Sequence, residues 1–134
     1  MGKKSKEDWF MRKVLLESDV IIDILRNFKK TIKRVESLLE DSELFISGIT
    51  EAEIFADKDM ENEKKRKAVI DLFSKLKKIN PTNEIFRVAG KFRRKYKLPL
   101  VDCIIGATAY SIGAELFTRN VKDFRKIKEI KTLD

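Results

Sequence analysis

From Lys13 onward the chain alternates short apolar runs with longer stretches of helical spacing. The run Val14-Leu15-Leu16 stops at Glu17-Ser18-Asp19, after which residues 20–25 (VIIDIL) continue with apolar positions spaced for a helix. This predicts strand, loop and helix, with Ser18 or Asp19 capping the helix by accepting hydrogen bonds from its free amides. Residues 31–40 place Ile32, Val35, Leu38 and Leu39 on one face and predict a second helix. Leu44 to Ser47 is a second strand candidate, and Thr50 followed three residues on by Glu53 has the form of a capping box opening another helix.

Helical patterns follow over about 64–77 (Val69, Ile70, Phe73, Leu76) and about 84–96 (Ile85, Val88, Ala89, Phe92), divided by the breaker Asn80-Pro81. Together they predict a basic helical hairpin or arm. Pro99 can open the next helix, residues 100–113, whose near-complete lack of charge marks it as central and buried on most sides. Residues 115–118 form a third strand candidate, 121–127 a turn or short helix, and 130–132 a possible fourth strand. Strands alternating with helices imply an α/β domain with a mostly parallel sheet covered on both faces. Residues 1–10 are polar apart from Trp9 and Phe10 and are set outside the core as an extension or expression remnant, which leaves one domain over 11–134.

Composition narrows the chemistry. The chain has 134 residues and no histidine, so the commonest general base, the Ser-His and Cys-His pairs and the commonest zinc ligand are all excluded. Neither GxxxxGK[ST] nor GxGxxG occurs, which argues against a nucleotide-binding enzyme. The single Cys103 cannot form an internal disulfide, and the start carries no apolar stretch resembling a signal sequence or membrane span, so the expected location is cytoplasmic with no membrane partner. The net charge of +8 is concentrated between Glu61 and Lys97, where thirteen Lys or Arg face four acids, leaving −1 for the remainder. A polyanion is the partner such a stretch fits.

Whatever reaction exists must therefore use carboxylates, and these fall at suggestive places. Ligand sites in open α/β sheets form outside the carboxyl ends of the strands. Glu17 ends the first strand, Glu53 lies one turn into the helix after the second, and Asn120 and Asp123 follow the third. Asp102 is the only charged residue between Leu98 and Ala114, and its helical neighbours offer no counter-charge. A buried carboxylate without a partner must neutralise itself or find a cation elsewhere. Each acid also has a purely structural alternative. Asp102 can interact with its helix dipole, Glu53 can close the capping box, Glu17 and Asp19 can be loop acids, and Asp123 can cap a short helix.

The segments VLLESDVIIDIL, ISGITEAEIF, LPLVDCIIGATA and LFTRNVKDF, in that order and spacing, resemble the PIN-domain family and especially its VapC-type toxin members. The resemblance runs from Met11 nearly to Asp134. It implies a three-layer α/β/α domain with a central sheet of four to five strands, and a metal-dependent endoribonuclease whose acids hold Mg²⁺ or Mn²⁺. The implied catalytic residues are Glu17, Glu53, Asp102 and Asp123, with Asn120 as a further metal ligand and Thr118 helping by hydrogen bonding. It also implies a cognate antitoxin protein and a homodimer. The chain departs from the family pattern at its first position, where Glu17 before Ser18 replaces Asp before Thr or Ser. Glutamate reaches one methylene further, and Mg²⁺ holds its oxygen ligands in tight octahedral geometry, so a shifted ion, a contribution from Asp19 or reduced activity follow as options.

The basic stretch would hold RNA phosphates through Lys64, Lys65, Arg66, Arg93 and Arg94, against the alternative of a solvated helical face. Two other readings compete with the nuclease. One is a catalytically weakened PIN-like module that binds RNA or a protein partner. The other is a receiver-like signalling domain, which would want an acidic pair after the first strand and a lysine where Arg119 stands.

Overall fold

The structure, a computed structural model, describes residues 11–133; the expected extension at residues 1–10 lies outside them, as does Asp134. Strand β1 (Arg12–Leu16) leads into helices α1 (Ser18–Leu25) and α2 (Lys29–Asp41). Then come β2 (Ser42–Ser47), α3 (Gly48–Phe55), a 3-10 turn (Lys58–Glu61) and α4 (Glu63–Phe73). The chain continues with β3 (Lys77–Ile79), α5 (Asn83–Tyr96), α6 (Leu100–Ile112), β4 (Glu115–Phe117) and α7 (Val121–Phe124). The four strands pair in the order β3-β2-β1-β4, every pair parallel.

The register explains the three layers. Leu15 lies opposite Phe45 and Leu116, while Val14 and Leu16 lie opposite Leu44 and Ile46. Because side chains alternate along a strand, these two sets face opposite sides. The first set packs with Ile85, Ala89 and Phe92 of α5 and Ile105 of α6. The second packs with Val20 and Ile21 of α1, Val35 and Leu38 of α2, Ile54 of α3 and Val69 of α4. Central strands buried on both faces read as continuous apolar runs, which is why β1 and β2 are plain in the sequence. The mostly apolar helix α6 is seated closely: a Cβ on Gly106 would lie 2.7 Å from Ile127 Cδ1, so a larger residue here would require the Ile127 side chain to move.

Three expectations are corrected. The helix predicted to run to Lys77 ends at Phe73, and Lys77–Ile79 is instead the edge strand β3. Its lysines hid it: Lys77, opposite Phe45 in the register, pairs with Glu43, and a charged edge discourages pairing with other chains but carries no apolar signature. Residues 130–132 form a single parallel bridge, Leu116 to Thr132, rather than a strand. The basic helices α4 and α5 do not form a hairpin, because Val69 of α4 and Phe92 of α5 belong to cores on opposite faces of the sheet.

The order β3-β2-β1-β4 reverses direction between β1 and β4, so the crevice outside their carboxyl ends is the topological switch point where such sheets bind ligands. It also separates the fold from a receiver-like order, in which β1 would lie between β2 and β3.

Candidate active site

Four segments converge on that crevice. The β1 exit is locked to β4 by the Glu17 amide donating to the Phe117 carbonyl at 3.0 Å. Glu17, 9% exposed, holds an extended conformation and is itself the cap of α1. Its carboxylate accepts from the Ser18 hydroxyl at 2.7 Å and the Asp19 amide at 3.4 Å. The expected cap at Ser18 or Asp19 is therefore corrected to Glu17, whose longer arm bends back over the first turn. That frees Asp19 for other partners. One Asp19 oxygen accepts from the Thr118 hydroxyl at 3.3 Å and the Arg119 amide at 2.9 Å, while the other is buried without a partner. Burial and then the charge of Glu17 push the Asp19 carboxyl up to about 6, against the opposing pull of Arg119.

At the β2 exit, Ser47 caps α3 by accepting from the Ile49 amide at 3.1 Å. The capping box expected between Thr50 and Glu53 does not form, since α3 starts two residues earlier and Thr50 is buried with its hydroxyl unpartnered. Glu53 thus loses its structural explanation. Its carboxyl is raised by burial and by the charges of Glu17 and Asp102, with a Ser18 hydrogen bond opposing.

Asp102 sits in the first turn of α6, where a helix dipole favours the ionised form. Its net shift is nevertheless upward, caused by burial and then by Glu17 and Asp123. Burial and the two neighbouring acids act against the ionised form that the dipole favours. At the β4 exit, buried Thr118 accepts from the Asn120 amide at 2.9 Å, and the Asn120 side chain donates to Asp123 at 3.1 Å. Asp123 also pairs with Lys126 at 3.5 Å, placing Asn120 and Asp123 at the rim.

Glu17, Asp102 and Asp123 thus lie within electrostatic reach of one another or of Glu53, raising the proton affinity of Glu53 and Asp102, yet no group of three acids or cysteines among the described residues is drawn tightly enough to enclose an ion. The cluster is open. Its donor chemistry nonetheless fits a hard divalent cation, since it offers carboxylate and amide oxygens, and the unpartnered Asp19 oxygen is a further acceptor at its edge.

This assembly of acids around a parallel-sheet switch point has known relatives. Residues 14–130 match the PIN domain family. The chain belongs to that family. It is 30% identical over 128 residues to ribonuclease VapC1 of Haemophilus influenzae strain R2866, covering 90% of this chain and 96% of the relative. A toxin–antitoxin complex from Klebsiella pneumoniae contains a chain superposing with a TM-score of 0.77 at 28% identity, covering 89% of this chain and 96% of that one. VapBC-1 of nontypeable H. influenzae superposes with a TM-score of 0.75 at 29% identity, over 91% and 97% of the two chains.

The basic residues of this PIN domain divide into those already engaged and those that are open. Lys65 pairs with Asp59 at 3.4 Å, and Arg66 donates to the Met60 carbonyl at 2.9 Å, so both fasten the 3-10 turn to α4. Lys64, Arg93 and Arg94 are exposed. Burial pushes the Cys103 thiol up, and the nearby charge of Arg93 opposes that rise. Sequence reasoning missed Asp23. This residue, 3% exposed, accepts from the Thr31 hydroxyl at 2.8 Å and pairs with Arg119 at 3.3 Å, tying α1, α2 and the β4 exit together. Its signal was a lone acid inside the apolar helix VIIDIL.

Among the described residues, no helix is long and apolar enough to cross a membrane.

Proposed function

We propose that this PIN domain is the toxin endoribonuclease of a toxin–antitoxin pair, hydrolysing RNA phosphodiester bonds at the acid cluster with Mg²⁺ or Mn²⁺. The observation that carries the reading is the gathering of Glu17, Glu53 and Asp102 with no salt-bridge partner among the described residues, at the switch point of a PIN fold. Its relatives include a named VapC ribonuclease. Glu53 and Asp102 are the primary ligands. Glu17 is a third ligand with altered reach, and Asn120 and Asp123 act from the rim, directly or through water.

A divalent cation, when bound, supplies the charge that acidifies a water and offsets the negative phosphate oxygens. The chain's own part is to hold the acids in place. Ser18 and the Asp19 amide fix the Glu17 carboxylate, and Thr118 ties the β4 exit to Asp19. Phosphate contacts from Lys64, Arg93 and Arg94 position the RNA, with smaller contributions from the engaged Lys65 and Arg66.

Partners follow the same reasoning. The solved relatives from Klebsiella and Haemophilus are toxin–antitoxin complexes, so a cognate antitoxin is the proposed protein partner. Exposed Phe86, Leu100, Val101 and Tyr110 on α5 and α6 are the proposed contact for a second copy.

A second reading is favoured by one residue. Glu17 is occupied as a helix cap, which leaves its carboxylate less free for an ion and makes the domain a weakened nuclease. The experiment that separates the two is cleavage of tRNA and structured RNA with Mg²⁺, Mn²⁺ or EDTA by the chain, Asp102→Asn and Glu17→Asp. Metal-dependent cleavage lost in Asp102→Asn supports the nuclease, and a gain in Glu17→Asp marks Glu17 as attenuating. Absence of cleavage in every variant, together with retained RNA binding, establishes the binding module instead.

A further inference from the structure

The basic stretch between Glu61 and Lys97 is not the only concentration of positive charge. Residues 26–34 (RNFKKTIKR) carry five cations and no acid. They form the turn between α1 and α2 and the first part of α2. Arg26, Lys29, Lys30 and Lys33 are all exposed, and none has an acid partner among the described residues. By contrast, Lys65, Lys67, Lys75, Lys77, Lys78 and Lys95 each meet a carboxylate, and the open cations of the other basic stretch are spread over two helices on opposite faces of the sheet rather than gathered in one turn. Lys29 and Lys30 also stand in the first turn of α2, where the helix dipole opposes cations and where no acid is present. Like charges collected against the dipole are unfavourable by themselves, and a bound polyanion relieves both effects.

Phe28 stands in the middle of this charge. It is 53% exposed, although a phenyl ring gains most by burial. The turn holding it is built, with Asn27 in the left-handed region at φ 60° and the Phe28 amide donating to the Asp23 carbonyl at 2.9 Å. Asn is among the few residues that enter this region readily. The ring is therefore fixed outward rather than left out by a loose loop.

The turn also borders the acid cluster on two sides. Asp23 accepts from Thr31 of α2 and pairs with Arg119, the residue preceding Asn120. Arg26 lines the same groove, about 410 Å³, as Glu53.

We infer that the α1–α2 turn is a ledge for single-stranded RNA beside the cleavage site, with Arg26, Lys29, Lys30 and Lys33 on successive phosphates and a base stacked on Phe28. The inference rests on the ribonuclease reading and names where its substrate lies. An unpaired strand is the occupant that fits, since cations track a backbone while an exposed aromatic ring needs an unstacked base. A protein partner for the same surface would have to be acidic.

The test uses the full chain carrying Asp102→Asn, so that RNA is not consumed, in magnesium buffer. Binding of labelled oligouridine and of a duplex RNA is followed by anisotropy across a salt series. Lys29→Glu with Lys30→Glu should weaken both RNAs by about 10-fold or more and reduce the salt slope by about two, one for each phosphate no longer neutralised. Lys29→Gln with Lys30→Gln should give the same change in slope with a smaller loss of affinity. Phe28→Ala should weaken oligouridine several-fold while leaving its salt slope and the duplex unchanged. If the chain binds RNA and these variants bind it equally well, the ledge is overturned and the ribonuclease reading survives. If the variants instead lose only an acidic protein partner, the surface belongs to that protein and the inference is likewise overturned. If the unaltered surface binds no RNA at all, both readings fall together.

Discussion

The acids of this domain are of two kinds, and the contrast between them locates the site. Several of those on the outer helices and sheet edges are paired with a cation. Glu115 meets Arg12, Glu43 meets Lys77, Glu63 meets Lys67 and Asp71 meets Lys75. Those at the carboxyl end of β1 and β4 are not. Glu17, Glu53 and Asp102 have no salt-bridge partner among the described residues, and the charge of Glu17 helps to raise the proton affinity of Glu53 and Asp102 instead. In a chain with 30 Lys and Arg against 22 acids, cations are not scarce. Excluding them from one crevice costs stability, and it leaves room for an ion the chain does not itself supply. Surface pairs of the first kind each contribute roughly 0–1 kcal/mol, so the two groups should respond very differently to mutation.

The largest expected effect breaks the unpaired group. Asp102→Asn or Glu53→Gln should lower metal-dependent RNA cleavage by more than about 100-fold, since even an outer partner of a metal ligand is worth roughly 10–100-fold. Thermal melting without metal should stay level or rise, because a mutual repulsion is removed; a fall in both activity and melting temperature would mean that these acids hold the fold instead. A smaller effect sharpens the role of the cap. Glu17→Asp should raise cleavage several-fold at saturating Mg²⁺, measured as initial rate, by shortening the arm to fit octahedral geometry.

Stability against pH gives the next test. The Asp19 carboxyl is raised from its ordinary value of 3.8 to about 6, so the folded state binds its proton more tightly than the unfolded state does. Stability contributed by that protonated form is full below about pH 4 and is lost as pH rises towards 6. Asp19→Asn should remove this loss and stabilise the metal-free protein at pH 7 by roughly 1 kcal/mol, discounted for the solvent-exposed edge of the group. Urea melts at pH 5 and pH 7 check it, and a variant that retains the full pH dependence would contradict the assignment. At the small end, Glu63→Gln should change melting stability by less than about 0.5 kcal/mol and leave cleavage unaltered, as an exposed pair four residues apart on a helix should.

Much of the fold is legible in the sequence. Strands β1, β2 and β4 and the helix carrying Asp102 show in the sequence because they are buried and therefore apolar. Glu17, Glu53 and Asp102 show because acids at strand ends and in apolar helices are rare. What stayed hidden had no local signature. Strand β3 is a lysine-bearing edge that pairs on one side only, so its polar side chains mask it. Asp19 looked like a cap, because its partners Thr118 and Arg119 lie about a hundred residues away in sequence. Thr50 and Glu53 looked like a capping box because that pattern ignores where the preceding strand stops, and Ser47 took the cap first. The basic helices α4 and α5 read as one arm because charge along a chain says nothing about which face of a sheet each helix covers.

The central claim is that the unpaired acids exist to hold a divalent cation, and a Mn²⁺ titration followed by electron paramagnetic resonance tests it most directly. The chain should bind Mn²⁺ at a site that weakens at least about 10-fold in Asp102→Asn and in Glu53→Gln. The same site should remain in Glu63→Gln. Equal Mn²⁺ binding by all four proteins would show that the crevice holds no ion through these acids and would contradict the account.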